Sequence, residues 1–411
     1  MPVNRDRIVQ NLERIARFGM SPAGINRYAL TREEREAVGF VSGLMTEAGM
    51  RVSIDPVGNL IGRLEGTEPD LPAVVVGSHL DTVPNGGKYD GALGVVAGLE
   101  VTRALQEDGL RPRHPLEVIA FVNEEGHRFQ PGLFGSHAFS QGVTADMISE
   151  IRDDAGVSFS EALRQCDLDP AKVHLARRNP LTVKAFIELH VEQGCVLEEA
   201  NVPAGIVTGI TGMVSARLTI TGSANHAGTT PMAHRKDALA AAAEVVLLVE
   251  RVARNEAGPR TVATVGVMRA EPGASNVIAG KVHLDVDLRD INEAVISLAM
   301  SRIETGLQEI CGRRSVTGTV SRLEEIPPCI LPERMVQLLK RAFARQGQEA
   351  FTLPSGAAHD AMNVARLTDV GMIFVRSKRG ISHSPDEYSS PEDIETGVRV
   401  LLDAVKDLCG P

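Results

Sequence analysis

The sequence contains no tryptophan and only 3 tyrosines among its 411 residues. Proteins that bind single-stranded nucleic acid stack bases on exposed aromatic rings, so this scarcity argues against such binding. Acidic residues outnumber lysine and arginine, which gives a formal net charge of −10, and there is no basic run. The composition therefore argues against a nucleic acid or an anionic membrane as a partner.

Paired cysteines and long apolar runs are also missing. The 5 cysteines share no CxxC spacing, which predicts reduced thiols in a cytoplasmic protein. The most apolar stretch, residues 239–249, is too short to span a bilayer and contains Glu244. The N-terminal segment resembles an amphipathic helix rather than a signal peptide, with Ile8, Leu12 and Ile15 on one stripe. We therefore expect a soluble cytoplasmic protein.

The length of the chain predicts about two domains. Between residues 51 and 194, short apolar strands alternate with helical patterns. The alternation predicts an α/β fold with helices on both faces of a sheet. Ligands of such sheets collect at the C-terminal ends of strands. The predicted elements are strands at 73–77, 116–122 and 185–190 and a helix at 91–105.

From about residue 211 the pattern changes to β-α-β-β-α-β, the order of a ferredoxin-like α+β unit. A further strand end follows this unit, so we interpret it as an insertion with Pro327-Pro328 as its return hinge. The predicted domains are a catalytic domain in two segments, 1–210 and 328–411, and an inserted domain at 211–327. The inserted elements are predicted at 214–221, 237–255, 261–269, 281–289, 293–311 and 315–323.

Five motifs place a histidine or a carboxylate where a predicted strand ends or a loop begins. They are GSHLDTV (77–83), KYDGALG (88–94), VNEEGHRF (122–129), ELHVEQG (188–194) and GISHSP (380–385). Imidazole and carboxylate are the ligands of zinc and its neighbours, and a site with open positions makes a hydrolase. Because a carboxylate can bridge two cations, five ligands could hold a two-metal centre. The candidate ligands are His79, Asp90, Glu125, His190 and His383.

Strand geometry suggests roles for two further residues. Residues i and i+2 of a strand share a face, so Asp81 is expected to accept the second imidazole N–H of His79 and fix its tautomer. Glu124 and Glu125 are neighbours at a strand end and are expected to project oppositely. One could then bind metal while the other remains free as a general base.

Together these motifs resemble the amidase/hydantoinase/carbamoylase branch of the dinuclear-zinc amidohydrolases, which are relatives of the zinc aminopeptidases. The resemblance extends from about Asn59, in GNLIGRLEG, to Glu387. It implies a zinc-exopeptidase-like catalytic domain with two divalent metal ions per subunit, either Zn, Mn, Co or Ni. It also implies that Asp90 bridges the ions and that Glu124 is the base that activates the metal-bound water. The implied ligands are His79, Asp90, Glu125, His190 and His383.

The resemblance extends to the substrate side. The string ANHAGTTP (224–231) is similar to the family's lid loop, whose histidine, here His226, reaches the substrate of the neighbouring subunit. This implies a homodimer in which the inserted domain serves as lid and dimerisation domain. Asn276 and Arg289 resemble the carboxylate-binding pair, and Gln193 and His359 resemble further substrate contacts. Two departures are Ala279, where proline is expected, and Met213-Val-Ser215, which replaces a bulkier strand entry.

The resemblance implies hydrolysis of the ureido C–N bond of N-carbamoyl-L-amino acids, giving the L-amino acid, CO2 and ammonia. Allantoate amidohydrolase shares every motif above and stays open as an alternative, followed by β-ureidopropionase. A zinc exopeptidase or acyl-amino-acid deacylase would be a different class on the same scaffold, and the HAGTTP loop argues against it. A non-catalytic metal-binding protein is disfavoured because Glu124 and all the ligands are present.

Overall fold

The structure is a computed structural model that describes residues 3–410. It divides the chain into two compact units. One unit contains the chain up to Thr208 and again from Leu331, and the other is the segment Gly209–Ile330. The second unit is thus an insertion between two segments of the first.

The first segment begins with the amphipathic helix that the sequence predicts, and its stripe of Ile8, Leu12 and Ile15 is buried. Asn4 caps this helix by accepting the backbone N–H of Arg7. Short 3-10 turns lie at Pro170–Ala176 and Pro180–Thr182. The elements are α1 (Arg5–Ile15), β1 (Met20–Ser21), β2 (Gly24–Ile25), α2 (Arg32–Glu47), β3 (Arg51–Ile54), β4 (Leu60–Leu64), β5 (Ala73–His79), α3 (Ala92–Glu107), β6 (Leu116–Phe121), α4 (Phe134–Ser140), α5 (Ala145–Glu150), α6 (Phe159–Gln165), β7 (Val183–Val191), α7 (Val196–Glu199) and β8 (Ala204–Ile210).

The inserted unit forms an antiparallel sheet with the strand order β11-β13-β9-β14. Alternate residues of β13, such as Leu284 and Val286, are buried beneath helices α8 and α9. Such alternation is expected for a sheet that has one face on the core and the other in solvent. This arrangement confirms the predicted ferredoxin-like order. Its elements are β9 (Gly212–Thr221), β10 (Asn225–His226), α8 (Ala238–Arg251), β11 (Val262–Glu271), β12 (Val277–Ile278), β13 (Lys281–Asp290), α9 (Glu293–Arg314), β14 (Thr317–Ile326) and β15 (Cys329–Ile330).

The second segment returns to the first unit and completes its sheet. Its elements are α10 (Glu333–Arg345), β16 (Thr352–Ser355), α11 (Asp360–Val364), β17 (Asp369–Val375) and α12 (Pro391–Cys409). The sheet has the order β8-β17-β7-β5-β6-β4-β3, with β15 and β16 beside β8. Its central strands β17, β7, β5 and β6 are parallel, whereas β8, β4 and β3 join antiparallel.

Both faces of this sheet are covered. Ile187 and Leu189 of β7 belong to a hydrophobic core that includes residues of α3 and α12. Phe186 points to the opposite face by strand alternation and contacts Phe121, which packs against Phe139 of α4. The mixed sheet between helices confirms the predicted fold class. No helix within residues 3–410 is both long enough and apolar enough to cross a membrane.

The parallel strands bring distant motifs to one edge of the sheet. Strand β5 ends at His79, and β7 ends one residue after His190. The segments that follow β6 and β17 carry Glu124 and His383. Because the carboxyl ends of parallel strands meet at the same edge, the fold gathers these side chains.

Candidate active site

The five predicted ligands lie together at this edge, arranged around Asp90. The Oδ1 atom of Asp90 is 3.4 Å from His79 Nε2 and 3.0 Å from His190 Nε2. Its Oδ2 atom is 3.3 Å from His383 Nε2, which is 3.7 Å from Glu125 Oε2. Two groups result, His79-Asp90-His190 and Asp90-Glu125-His383, and in each the possible ligand atoms lie within 4.8 Å of one another. The carboxylate of Asp90 thus offers one oxygen to each group.

Gly91 makes this packing possible. Its backbone has φ +63° and ψ −53°, a conformation that residues with a Cβ rarely adopt. A Cβ at this position would lie 2.5 Å from atoms of the His79 imidazole, which is itself buried. The glycine after Asp90 therefore lets helix α3 begin directly against the ring.

Backbone carbonyls set the tautomers of the two buried histidines. The Nδ1 atom of His79 is 3.0 Å from the carbonyl oxygen of Asp81, and that of His190 is 2.8 Å from the carbonyl oxygen of Val191. With a proton on Nδ1, each ring directs its Nε2 atom towards the cluster, and Nε2 is the atom that would bind a metal ion.

The carboxylate of Asp81 has a different partner from the one that strand geometry suggests. It lies 3.6 Å from His79 Nδ1 and instead accepts the backbone N–H groups of Glu124 and Glu125, each at 3.1 Å. Strand β5 ends at His79, so the two-residue alternation does not extend to Asp81. Asp81 supports the cluster through its backbone carbonyl and through the Glu124-Glu125 turn.

Glu124 and Glu125 do not project oppositely. Both carboxylates approach His79 closely enough to form one group with it, and Glu124 Oε2 is 3.6 Å from His79 Nε2. Strand β6 ends at Phe121, and Asn123 has φ +55°, so the pair lies on a turn to which strand alternation does not apply. The expectation of opposite projection was wrong.

Burial and crowding shift the ionisation of these groups. Burial raises the pKa of Glu124 well above its usual range; His79 opposes this rise and Glu125 adds to it. Burial also raises the pKa of Glu125 to about 7, with Asp90 adding to the effect. Burial would raise the pKa of Asp90 too, but His190 and its neighbours hold it well below its usual range.

The donor set fits divalent cations. The Oε1 atom of Glu125 is buried and has no hydrogen-bond partner among residues 3–410. An anionic oxygen without a donor is costly in the interior, and a cation would remove that cost. Imidazole nitrogens and carboxylate oxygens are ligands that zinc, manganese, cobalt and nickel accept.

Gln193 and His359 also lie at the cluster. Gln193 has φ +59°, and its Nε2 donates to Asp90 Oδ2 at 2.8 Å. The buried ring of His359 packs edge-on against His190 with a centroid distance of 4.5 Å, and its Nε2 is 2.9 Å from Ser355 Oγ. Burial, aided by His190, lowers the pKa of His359 well below its usual range, so this imidazole is neutral.

His226 and Asn276 lie side by side within the inserted unit. Strand β10 pairs with β12, and the N–H of Ala227 donates to the Asn276 carbonyl oxygen at 2.9 Å. The Nδ1 atom of His226 accepts the backbone N–H groups of Gly228 and Thr229 at 2.9 and 3.2 Å. Its proton therefore resides on Nε2, which makes this exposed ring a hydrogen-bond donor.

Arg289 lies at the end of β13 and is held by a residue of its own strand. Its Nε and Nη2 donate to the two carboxylate oxygens of Asp287 at 2.9 and 3.0 Å. This bidentate pair orients the guanidinium, and Asp287 occupies its Nε–Nη2 edge.

Glu188 and Glu387 are buried acids near the cluster that were not predicted as site residues. Glu188 accepts a hydrogen bond from Ser78 Oγ at 2.8 Å, and Glu387 accepts the N–H groups of Tyr89 and Asp90 at 2.8 and 3.0 Å. Burial and Asp90 raise the pKa of Glu387 to about 7. The sequence did contain a signal for Glu188. Residues two apart in a strand lie on the same face, so an acid two residues before His190 in an apolar strand points to the same side as that histidine. Nothing in the local sequence around Glu387 indicates that it contacts residues 89 and 90.

Comparison with known proteins gives full-length matches. The sequence profile of peptidase family M20/M25/M40 matches residues 75–407. A Geobacillus stearothermophilus protein named N-carbamoyl-L-amino acid amidohydrolase is 45% identical over 407 residues, which cover 99% of both chains. A crystal structure of an amidase of the hydantoinase/carbamoylase family from Burkholderia multivorans has a TM-score of 0.92 and 35% identity, and covers 100% of this chain and 99% of its own. These matches confirm the family resemblance that the motifs predicted.

More distant relatives have other names. Ureidoglycolate hydrolase of Arabidopsis thaliana is 35% identical, with 98% of this chain and 86% of the relative covered. Allantoate deiminase of the same plant is 34% identical, with 97% and 81% covered.

Substitution of Gly91 tests the packing around His79. Gly91→Ala should displace the imidazole and weaken Mn2+ binding by at least about tenfold, because the Cβ leaves the ring no room. Gly109→Ala is the matched control: Gly109 has φ +69°, but a Cβ there meets nothing within 4 Å. It should cost about 1 kcal/mol of stability and leave metal affinity unchanged. Equal Mn2+ affinities for the two variants, measured by calorimetry, would contradict this account.

Proposed function

The chain belongs to peptidase family M20/M25/M40, and from this membership we propose that it hydrolyses the ureido C–N bond of N-carbamoyl-L-amino acids. The products are the L-amino acid, CO2 and ammonia. The similarity to the Geobacillus stearothermophilus protein supports this substrate class. The observation that carries the proposal is the carboxylate of Asp90, which faces one ligand group with each oxygen, beside the buried carboxylate of Glu124.

We propose that two divalent ions, either Zn, Mn, Co or Ni, are held by these groups. His79, Asp90 and His190 would bind one ion, and Asp90, Glu125 and His383 the other. Such ions, when bound, polarise the substrate carbonyl and make water a better nucleophile at neutral pH. The Nε2 atoms of His79 and His190, which face Asp90, and the buried Glu125 Oε1, which has no hydrogen-bond partner among residues 3–410, support this assignment.

Glu124 is the proposed general base. It takes a proton from the water that attacks the ureido carbonyl and returns it to the leaving nitrogen. Its Oε2 atom lies 3.6 Å from His79 Nε2, so the carboxylate is within reach of the proposed metal position. Asp81 supports the turn from which it acts by accepting the N–H groups of residues 124 and 125.

The inserted unit supplies the proposed substrate contacts. His226 donates from Nε2 to the oxygen on which negative charge develops, and its tautomer supports that role. Asn276 and Arg289 bind the substrate carboxylate, for which the planar guanidinium is suited. Gln193 and His359 complete the substrate contacts from the metal side.

We also propose that the protein is a cytoplasmic homodimer in which His226 serves the active site of the partner subunit. Its exposed position on β10 supports this role. A second substrate is favoured by one comparison: the similarity to plant allantoate deiminase makes allantoate the alternative ureido compound.

A substrate panel tests the proposal directly. Protein stripped of metal by a chelator and reloaded with Mn2+ or Co2+ should release methionine from N-carbamoyl-L-methionine, and stripped protein should not. Its kcat/KM should exceed that for allantoate and N-acetyl-L-methionine by at least about tenfold, because the site must fit both the ureido group and the carboxylate. A preference for allantoate would replace the proposed substrate but leave the proposed metal site unchanged. Equal turnover with and without metal would contradict the proposed chemistry.

Glu124→Gln tests the base. The amide preserves the shape of the side chain but cannot accept the proton, so kcat should fall by about 10²–10⁴-fold while the bound metal stays unchanged. Glu150→Gln, at an exposed position on α5, is the control and should keep full activity. A Glu124→Gln protein with near-normal kcat would rule out the base assignment.

Hybrid dimers test whether His226 acts on the partner subunit. His226→Ala and Glu124→Gln homodimers should each be nearly inactive. Coexpressed in equal amounts, they should recover about a quarter of the normal activity, because half of the dimers are hybrids with one complete site. If His226 acted within its own subunit, no hybrid site would be complete and the mixture would stay inactive.

A further inference from the structure

Glu387 connects two parts of the cluster that are far apart in sequence. Its Oε1 atom accepts the consecutive backbone N–H groups of Tyr89 and Asp90, which are 298 and 297 residues away. Its Oε2 atom accepts the hydroxyl of Ser382 at 3.1 Å, and the same hydroxyl is 3.3 Å from Asp90 Oδ2. One carboxylate thus joins the turn that carries Asp90 to the loop that carries His383.

The turn before Asp90 is shaped to admit this side chain. A Cβ on Gly87 would lie 2.5 Å from Glu387 Cβ and 2.6 Å from its Cδ. The glycine is therefore required for the close approach of the backbone to the carboxylate. Glu387 itself is only 4% exposed.

Glu387 is buried with three hydrogen-bond donors around its carboxylate, namely two backbone N–H groups and one hydroxyl. A hydrophobic residue of similar size would leave these three donors without this acceptor. The side chain of Glu387 therefore holds the two successive N–H groups and the hydroxyl together.

We propose that Glu387 is a positioning residue for the metal centre. By holding the N–H of Asp90 it sets the direction in which the Asp90 side chain leaves the backbone. By holding Ser382 it places the adjacent His383 against the Oδ2 atom of Asp90. The two carboxylate oxygens of Asp90 then face the two ligand groups. This inference rests on the proposed function, because it concerns the same ions.

Metal binding by the full-length protein tests the inference without relying on activity. Glu387→Ala should weaken Mn2+ binding by about 10–100-fold, the usual effect of losing a group that orients a ligand. Glu387→Gln should stay within about threefold of the unaltered protein, because its amide oxygen still accepts both backbone N–H groups. Gly87→Ala should reproduce the loss, because the added Cβ displaces Glu387. Affinities and stoichiometry would be measured by chelator competition and elemental analysis.

Asp386→Ala is the matched control, since Asp386 is an exposed acid in the same loop. It should bind Mn2+ like the unaltered protein. The melting temperature of each metal-free variant separates positioning from general stability. Positioning predicts weaker Mn2+ binding at temperatures where Glu387→Ala is fully folded.

Unchanged Mn2+ affinity in folded Glu387→Ala would overturn the positioning role and leave the metal site intact. If Glu387→Ala does not fold, Gly87→Ala decides in the same way. Failure of the unaltered protein to bind any of Mn2+, Zn2+, Co2+ and Ni2+ would overturn the proposed function and this inference together. The two failures are therefore distinguishable.

Discussion

The carboxylates of Asp90, Glu124 and Glu125 are buried or nearly so and lie close together, and their mutual repulsion is the force that the surrounding structure has to balance. Histidines approach Asp90 from both sides and offset part of this repulsion. The acids Asp81 and Glu387 add negative charge, but they fix the surrounding turns by accepting backbone N–H groups. The local structure places several carboxylates where bound cations would neutralise their charge. Gly87 and Gly91, which have no Cβ, leave room for the side chains that pack around this position.

The candidate site residues are divided between the two units. The interrupted unit carries the candidate metal ligands at the carboxyl edge of parallel strands. The inserted unit has its own core and carries His226, Asn276 and Arg289 on strand ends and a short hairpin. The proposed metal ligands and three of the proposed substrate contacts therefore belong to separately packed bodies. Such a division lets substrate preference change without disturbing the metal ligands.

The sequence predicted the fold class, the ferredoxin-like order of the insertion and the residues that converge on Asp90, because each was signalled by local motifs or by periodicity. It was wrong about the projection of Glu124 and Glu125 and about the partner of the Asp81 carboxylate. Both errors have one cause: strand alternation was extended beyond His79 and Phe121, where the strands end. Glu387 was not assigned a role because its contacts lie almost 300 residues away, and periodicity carries no information at that range.

The order of the ligands along the chain also determines when the site can exist. His79, Asp90, Glu125 and His190 precede the insertion, whereas His383 follows it and lies beyond the last strand, β17. During synthesis the first four ligands emerge while the sheet lacks β17, and a complete inserted unit must be made before the fifth appears. Bringing His383 to the other four residues closes a long loop that contains the inserted unit. The entropic cost of closing that loop therefore comes late in folding. The set of five candidate ligands is therefore complete only after most of the surrounding hydrophobic core has been synthesised.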